Sequence, residues 1–235
     1  MTSWPKWNNQ TRPAVHIPLG RIGYDESLTV QMAVHRRCLE DDWADTLLTL
    51  EHDPVITLGR SSSMDHILAS QQELDGLGIV TRPADRGGSV TYHGPGQLVL
   101  YAIADLRRHG KDIRRFVTAL EQAMLAVLAP LGIDAARNPQ RPGLWVGNRK
   151  VASIGVAVRH WITRHGLALN VAVNPEHFRT IHPCGLRIET VSIGDFVDKA
   201  PSMEALASQL VERMAVELAW TVSHRTPAQL KEALE

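Results

Sequence analysis

A glycine-rich segment between two apolar runs constrains the fold of this chain more than any other feature. Residues 86–96 include four glycines, and the flanking runs 79–82 and 97–104 have the composition of strands. Nucleotide-binding glycine motifs lead into a helix or carry a Gly-Lys-Ser/Thr phosphate loop, whereas this segment leads into a β-type run. The segment is therefore expected to turn tightly and to line a narrow site, with a purely structural set of turns as the alternative. It gives no support for ATP binding.

The other predicted elements mix strands and helices without a regular alternation. Helical spacing marks 27–39 and 201–219, and Asp112 can cap a third helix that runs to residue 128. Strands are expected from Val15 onward, at 46–51 and 55–58 as neighbours, and at 144–146, 150–158 and 166–173, with Gly147-Asn148 as a hairpin turn. The predicted fold class is α/β (α+β), a mixed-sheet domain rather than a doubly wound one.

The length of the chain fits one domain. With 235 residues, of which 44% are hydrophobic, it can bury one sizeable core, and nothing requires a second. Residues 1–14 are expected to be a loose N-terminal arm, 15–220 the catalytic domain and 221–235 a polar surface tail.

Composition excludes several classes of function. Lys+Arg and Asp+Glu are equal at 25 each, so no net field favours nucleic acid or an anionic membrane. A signal peptide and a membrane-spanning run of about 18 apolar residues are both missing, which favours a cytoplasmic protein. Two cysteines are too few for a disulfide scaffold or a cysteine zinc site, and the histidines lack metal-ligand spacing, so neither a metal nor a cofactor is expected.

Cys184 is the candidate nucleophile. It lies in the turn-forming sequence His182-Pro183-Cys184-Gly185, where a thiol can be accessible, and attack requires the thiolate form that a nearby ammonium can stabilise. An inert thiol is the alternative. The second cysteine, Cys38, falls on a predicted amphipathic helix with no turn chemistry beside it.

Lys150 is the candidate partner of Cys184. It is one of only five lysines, against 20 arginines, and it opens the apolar run 151–158. A desolvated lysine has a lowered pKa and can transfer protons near neutral pH, whereas a lysine at a strand end can instead extend its ammonium into water. Both interpretations of Lys150 remain open from the residues alone.

Four ordered motifs, at 86–97, 150–155, 165–170 and 183–185, resemble those of the lipoyl(octanoyl) transferase family, and the similarity spans about 15–219. The resemblance implies a fold similar to the catalytic domains of biotin and lipoate protein ligases. It implies that Cys184 carries the acyl group and that Lys150 tunes the cysteine and moves protons. It assigns substrate binding to Arg86, Gly87, Gly88, Ser89, Val90, Thr91, Tyr92, His93, Ser153, Ile154, Gly155, Gly166, Leu167 and Ala168.

The resemblance also implies a reaction and its partners. The enzyme would move octanoyl from octanoyl-acyl carrier protein to one lysine of the lipoyl domains of 2-oxoacid dehydrogenase and glycine cleavage proteins, the first step of endogenous lipoate assembly. An acyl thioester already carries the free energy for amide formation, so no ATP and no cofactor are expected. Ile154, Leu167 and their apolar neighbours are expected to wall an eight-carbon channel.

Three other functions compete with this hypothesis. An ATP-dependent lipoate or biotin ligase would use an adenylate in place of an acyl-cysteine, and a non-catalytic lipoyl-domain binder would leave Cys184 inert. A cysteine hydrolase would release free acid, with His93, His165 or His182 orienting or deprotonating Cys184.

Overall fold

A computed structural model describes residues 11–182 and 188–234 of the chain. The strands are β1 Arg12–Ile22, β2 Asp45–His52, β3 Val55–Leu58, β4 Val80–Pro83, β5 Val90–His93, β6 Gln97–Ile103, β7 Ala136–Asn138, β8 Arg141–Val146, β9 Arg149–Arg159, β10 Ile162–Asn170 and β11 Trp220–His224. The helices are α1 Tyr24–Leu39, α2 Gln71–Gly76, α3 Ile113–Leu128, α4 Pro175–Phe178, α5 Met203–Leu218 and α6 Pro227–Leu234.

A large mixed sheet forms the centre of the molecule. Its strand order is β11-β1-β2-β6-β10-β9-β8-β7, with β1 parallel to both β11 and β2 and the remaining pairs antiparallel. Every residue of the central strand β6 is buried. Because side chains alternate across a strand, Leu98 and Leu100 enter the core on one face, and Val99 and Tyr101 enter the core on the other.

Helices cover both faces of this sheet. On one face α3 and α5 pack side by side, contributing the fully buried Phe116, Leu120 and Leu210. On the other face α1 contributes Val34, with α6 beside it. Asp112 caps α3, as predicted, because its carboxylate accepts the backbone N–H of Arg115 at 3.0 Å. The predicted mixed-sheet α/β class is therefore confirmed.

A second, three-stranded sheet carries the glycine-rich segment. Its order is β4-β3-β5, with β3 parallel to β4 and antiparallel to β5. The prediction that 46–51 and 55–58 are neighbouring strands is wrong, because β2 pairs with β1 and β6 in the large sheet while β3 belongs to the small one. The Asp53-Pro54 turn therefore passes the chain from one sheet to the other.

The chain termini pack more closely than the sequence indicates. Arg12 to Ala14 belong to β1, and Ala14 is 1% exposed, so the described end of the expected arm is part of the sheet. The structure corrects the expectation of a surface tail at 221–235. Thr221–His224 pair with β1, and Leu230 of α6 is buried. The sequence did not predict this packing, because most residues of β11 and α6 are polar and only a few apolar contacts hold these two elements. Residues 1–10 and 235 lie outside the described residues, and the three-part division of the chain stays a prediction.

Within the described part of the chain, no helix has the length and apolar content needed to span a membrane.

Candidate active site

A cavity lies where the glycine-rich segment meets strands β9 and β10. The two sequence triplets 153–155 and 166–168, separated along the chain, are direct cross-strand partners: Ser153 with Ala168, Ile154 with Leu167, and Gly155 with Gly166. Thirteen of the fourteen residues predicted to bind substrate line this cavity. Its lining comprises Tyr24, Arg86, Gly87, Gly88, Ser89, Val90, Thr91, His93, Tyr101, Lys150, Ser153, Ile154, Gly155, His165, Gly166, Leu167 and Ala168.

Close backbone packing at Gly155 joins the two sides of the cavity. The N–H of Gly87 donates to the carbonyl of Val156 at 2.9 Å. A Cβ on Gly155 would lie 2.9 Å from Cδ of Arg86 and 3.2 Å from the Gly87 carbonyl oxygen. Only glycine lets the glycine-rich segment pack this closely against β9.

The Arg86 side chain holds the glycine-rich segment in shape. Its guanidinium donates to the Thr57 carbonyl at 2.8 Å, to the Thr57 hydroxyl at 2.7 Å and to the Ser89 carbonyl at 2.8 Å. Arg86 is 8% exposed, and its planar fork of donors satisfies several acceptors at once. These contacts make Arg86 a positioning residue that ties β3 to the start of β5.

Tyr92 is the one predicted binding residue that does not line the cavity. It is fully buried among the apolar residues of the small sheet, and its hydroxyl lies 2.6 Å from Nδ1 of His177. Tyr92 packs in the same apolar cluster as Ile56 and Phe178, whereas its neighbours Thr91 and His93 line the cavity.

Lys150 lines the same cavity and is 4% exposed. Its Nζ lies 5.3 Å from the centroid of the Trp145 ring, within the range of a cation–π contact. Space for the side chain comes from Gly143, where a Cβ would lie 3.0 Å from Cε of Lys150 and 2.3 Å from the carbonyl oxygen of Ala152. Gly143 has φ +118, which strongly favours glycine.

The chain that follows Cys184 in the sequence pairs directly with Lys150. The Lys150 N–H donates to the Glu189 carbonyl at 2.8 Å, and the Val191 N–H donates to the Lys150 carbonyl at 3.0 Å. Glu189 and Val191 follow Cys184 by five and seven residues in the sequence. Cys184 itself lies outside the described residues, as does the rest of 183–187.

The other cysteine, Cys38, lies on helix α1, as the sequence predicts, and the structure shows that it is buried there. It is 1% exposed, and burial raises the pKa of its thiol to about 12. A thiol with so high a pKa stays protonated near neutral pH and is a poor nucleophile.

Sequence reasoning left three lining residues out of the binding set: Tyr24, Tyr101 and His165. Nε2 of His165 lies 2.8 Å from a carboxylate oxygen of Asp85, which also pairs with Arg164. The hydrogen bond from His165, with the charge of Arg164, lowers the pKa of Asp85 to about 2. His165 is the first residue of the motif at 165–170, so its position indicated a role in binding. No sequence pattern indicated such a role for Tyr24 or Tyr101.

Across 11–182 and 188–234, no group of three or more histidine, cysteine, aspartate or glutamate side chains could hold a metal ion.

Comparison with known proteins identifies the family. Residues 23–215 match the family model of the lipoyl protein ligase A/B catalytic domain. An octanoyltransferase of Solibacter usitatus is 48% identical over 72% of this chain and 76% of its own length. One from Clostridium kluyveri is 44% identical, covering 74% and 76% of the two chains.

Solved structures of lipoate ligases share the fold. A lipoate-protein ligase A bound with ATP superposes with a TM-score of 0.71 at 16% identity, over 96% of this chain and 92% of its own. A bipartite lipoate protein ligase from Thermoplasma acidophilum gives 0.72 at 16% identity, over 95% and 90%. The family match and the octanoyltransferase relatives together confirm the resemblance. This chain belongs to the octanoyltransferase family, and it contains the lipoyl protein ligase A/B catalytic domain.

Proposed function

We propose that this protein transfers an octanoyl group from octanoyl-acyl carrier protein to a lysine of a lipoyl domain, through an acyl-enzyme on Cys184. The similarity to proteins named octanoyltransferases, at 48% and 44% identity, supports the reaction class. The observation that carries the proposal is the buried Lys150 in a cavity that three sequence-distant motifs share.

The first half-reaction loads the enzyme. The Cys184 thiolate, stabilised by the Lys150 ammonium, attacks the thioester carbonyl and forms a new C–S bond. The bond to the pantetheine sulfur breaks, and Lys150 supplies the proton that converts the departing thiolate to a thiol. The products are octanoyl-Cys184 and a neutral Lys150 amine.

The second half-reaction makes the amide. The acceptor lysine arrives as an ammonium and gives a proton to the neutral Lys150 amine. The free amine then attacks the octanoyl-cysteine carbonyl, the C–S bond breaks, and the amine nitrogen releases a second proton to solvent or a neighbouring base. Cys184 leaves as a thiolate beside the Lys150 ammonium. This restores the starting ion pair for the next turnover.

The acyl chain is proposed to lie along the paired residues Ile154 and Leu167. Leu167 is 2% exposed and Ile154 is partly buried, and both line the cavity. Burial of each methylene contributes about 0.8 kcal/mol, so a wall of fixed position can select a chain length by fit.

Enlarging Ile154 should shift the acyl-length preference. In an Ile154→Phe variant the phenylalanine ring would fill the space that the last methylenes of the acyl chain occupy. Loss of the burial of two methylenes should lower kcat/KM for the octanoyl donor about 15-fold relative to kcat/KM for the hexanoyl donor. The measurement is kcat/KM for hexanoyl-, octanoyl- and decanoyl-acyl carrier protein. Val216→Phe, at an exposed position on α5, is the matched control. An unchanged ratio in Ile154→Phe would remove this residue from the channel wall.

The proposed acceptors are the lipoyl domains of 2-oxoacid dehydrogenase and glycine cleavage proteins. The fold neighbour from Thermoplasma acidophilum is described together with its E2 lipoyl domain, which supports an acceptor of this class. We also propose a cytoplasmic location, where Cys184 remains a thiol.

An acyl-transfer assay that compares two octanoyl donors tests the function. With octanoyl-acyl carrier protein and an apo lipoyl domain, the protein should octanoylate one lysine in the absence of ATP. Dependence on ATP with free octanoate as the donor would instead identify a ligase, and release of free octanoate without amide formation would identify a hydrolase. Binding of the lipoyl domain without any transfer would identify a non-catalytic binder.

A further inference from the structure

A chain of buried hydrogen bonds leads from the segment beside Lys150 to a histidine in the cavity wall. The side-chain amide of Asn170 donates to the Val191 carbonyl at 3.0 Å. Nε2 of Gln97 donates to Oδ1 of Asn170 at 2.9 Å and to the Tyr92 carbonyl at 3.2 Å. Oε1 of Gln97 lies 2.7 Å from Nδ1 of His93. The motif at 86–97 includes His93 and Gln97, and the motif at 165–170 includes Asn170. The proposed mechanism assigns no role to these three residues.

The direction of every hydrogen bond in this chain is fixed by its backbone ends. A carbonyl can only accept, so the group that meets the Val191 carbonyl must be the NH₂ of Asn170. Oδ1 of Asn170 is then an acceptor for Gln97, whose NH₂ also meets the Tyr92 carbonyl. Oε1 of Gln97 must therefore accept from His93. The neutral His93 ring carries its proton on Nδ1, and Nε2 presents a lone pair.

Among the described residues, Nε2 of His93 makes no hydrogen bond, whereas Nδ1 is engaged with Oε1 of Gln97. His93 is 6% exposed and lines the cavity that Lys150 also lines. The neighbouring His52 differs, because its Nδ1 donates to the Ile22 carbonyl at 2.9 Å and its Nε2 lies 2.8 Å from the Tyr101 hydroxyl. A ring nitrogen of a cavity-lining histidine that makes no hydrogen bond with the described residues is suited to accept one from a ligand N–H or O–H.

The surroundings of His93 keep the ring neutral. Burial lowers its pKa well below the usual value, and the neighbouring His52 and Arg86 act in the same direction. The lone pair on Nε2 is therefore available as an acceptor at neutral pH, whether or not the Lys150 amine is protonated.

Amide formation needs a second proton acceptor. An acceptor lysine in its ammonium form and octanoyl-Cys184 give the amide, the Cys184 thiolate and two protons. The neutral Lys150 amine takes one of them and becomes the ammonium that the resting enzyme needs. The second proton is released from the amine nitrogen as the C–N bond forms, and Lys150 no longer has a lone pair to receive it.

We propose that Nε2 of His93 accepts a hydrogen bond from the attacking lysine amine and takes this second proton, which it then passes to water. This inference rests on the proposed function, because it assigns a residue to the second half-reaction. His93 orients the amine lone pair toward the thioester before attack and receives the proton after it. The Gln97–Asn170 chain acts only through His93, by fixing the ring tautomer.

Separate measurement of the two half-reactions tests this role. His93→Asn is the informative variant, because the asparagine amide nitrogen can replace Nδ1 as the donor to Gln97 while the position of Nε2 is left without an acceptor. Octanoyl loading of the enzyme should stay within about threefold of the parent, whereas transfer from the isolated acyl-enzyme to an apo lipoyl domain should slow about 100-fold or more. His93→Gln, which cannot accept a proton, should show the same partition if His93→Asn folds poorly.

His16→Asn is the matched control, a buried histidine outside this cavity that contacts Thr49 and His224. It should leave both half-reactions at parental rates. Transfer at the parental rate in the His93 variants, or equal slowing of loading and transfer in variants that keep the parental unfolding midpoint, would overturn the role of His93. Failure of the parent protein to accept octanoyl at all would instead contradict the proposed function.

Discussion

A Lys150→Ala variant is expected to lose acyl loading and amide formation together, each by about 100-fold or more. The alanine can neither stabilise the Cys184 thiolate nor donate and accept the protons of the two half-reactions. Pre-steady-state mixing with octanoyl-acyl carrier protein measures loading, and mixing of preformed acyl-enzyme with an apo lipoyl domain measures transfer. This joint loss distinguishes Lys150 from His93, for which only transfer should slow.

Lys150→Arg separates proton transfer from charge. Arginine keeps the positive charge at position 150 but does not release its proton in proteins. The Cys184 thiol should therefore still react with iodoacetamide faster than in Lys150→Ala, while octanoyl transfer stays low. Lys199→Ala, at an exposed position, is the matched control and should retain parental rates. Full activity in Lys150→Arg would contradict the proton-transfer role.

The free energy of unfolding is expected to fall as pH drops from about 6.5 to about 4. Burial lowers the pKa of His16 and of His52 to about 4, and it lowers that of His93 as well. The unfolded chain binds protons on these histidines below pH 6.5 while the folded chain excludes them. Their neutral forms therefore stabilise the fold fully above pH 6.5, and this contribution is lost as pH falls through the window.

The slope of that pH dependence is the measurement. Each such histidine contributes at most about 1.4 kcal/mol per pH unit to this slope within the window. Urea unfolding at several pH values should therefore distinguish the slope of a His52→Gln variant from the parental slope. That variant should have a slope shallower by about this amount, whatever its absolute stability. Val216→Gln, at an exposed position without a titratable group, is the control and should keep the parental slope. An equal slope in His52→Gln would show that His52 binds its proton as readily in the folded chain as in the unfolded chain, which would contradict the lowered pKa.

Local signals in the sequence predicted much of the fold and most of the cavity. The Asp112 cap, the Gly147-Asn148 hairpin between β8 and β9, and the apolar periodicity of α3 and α5 depend on neighbouring residues, and the structure has all of them. The family motifs located most of the cavity lining, and the glycine at 155 in one of them is needed because the glycine-rich segment approaches β9 closely there.

Features that depend on distant pairing could not be predicted. The sequence of 46–58 does not show that its two strands enter different sheets, because both have the same composition and the choice is made by partners in β1 and β5. The edge strand β11 is polar on its exposed side, so it was expected to be a tail. Tyr24 contributes to the cavity only because α1 packs across the sheet near β10.

The proposed mechanism requires Cys184 to carry the octanoyl group between donor and acceptor. The most direct measurement is the intact mass of the protein after incubation with octanoyl-acyl carrier protein alone, followed by peptide mapping. We predict the mass of one octanoyl group on the peptide containing Cys184, none in Cys184→Ala, and loss of the adduct when an apo lipoyl domain is added. Wild-type transfer activity in Cys184→Ala, or an adduct on Cys38, would contradict the role of Cys184 as the acyl carrier.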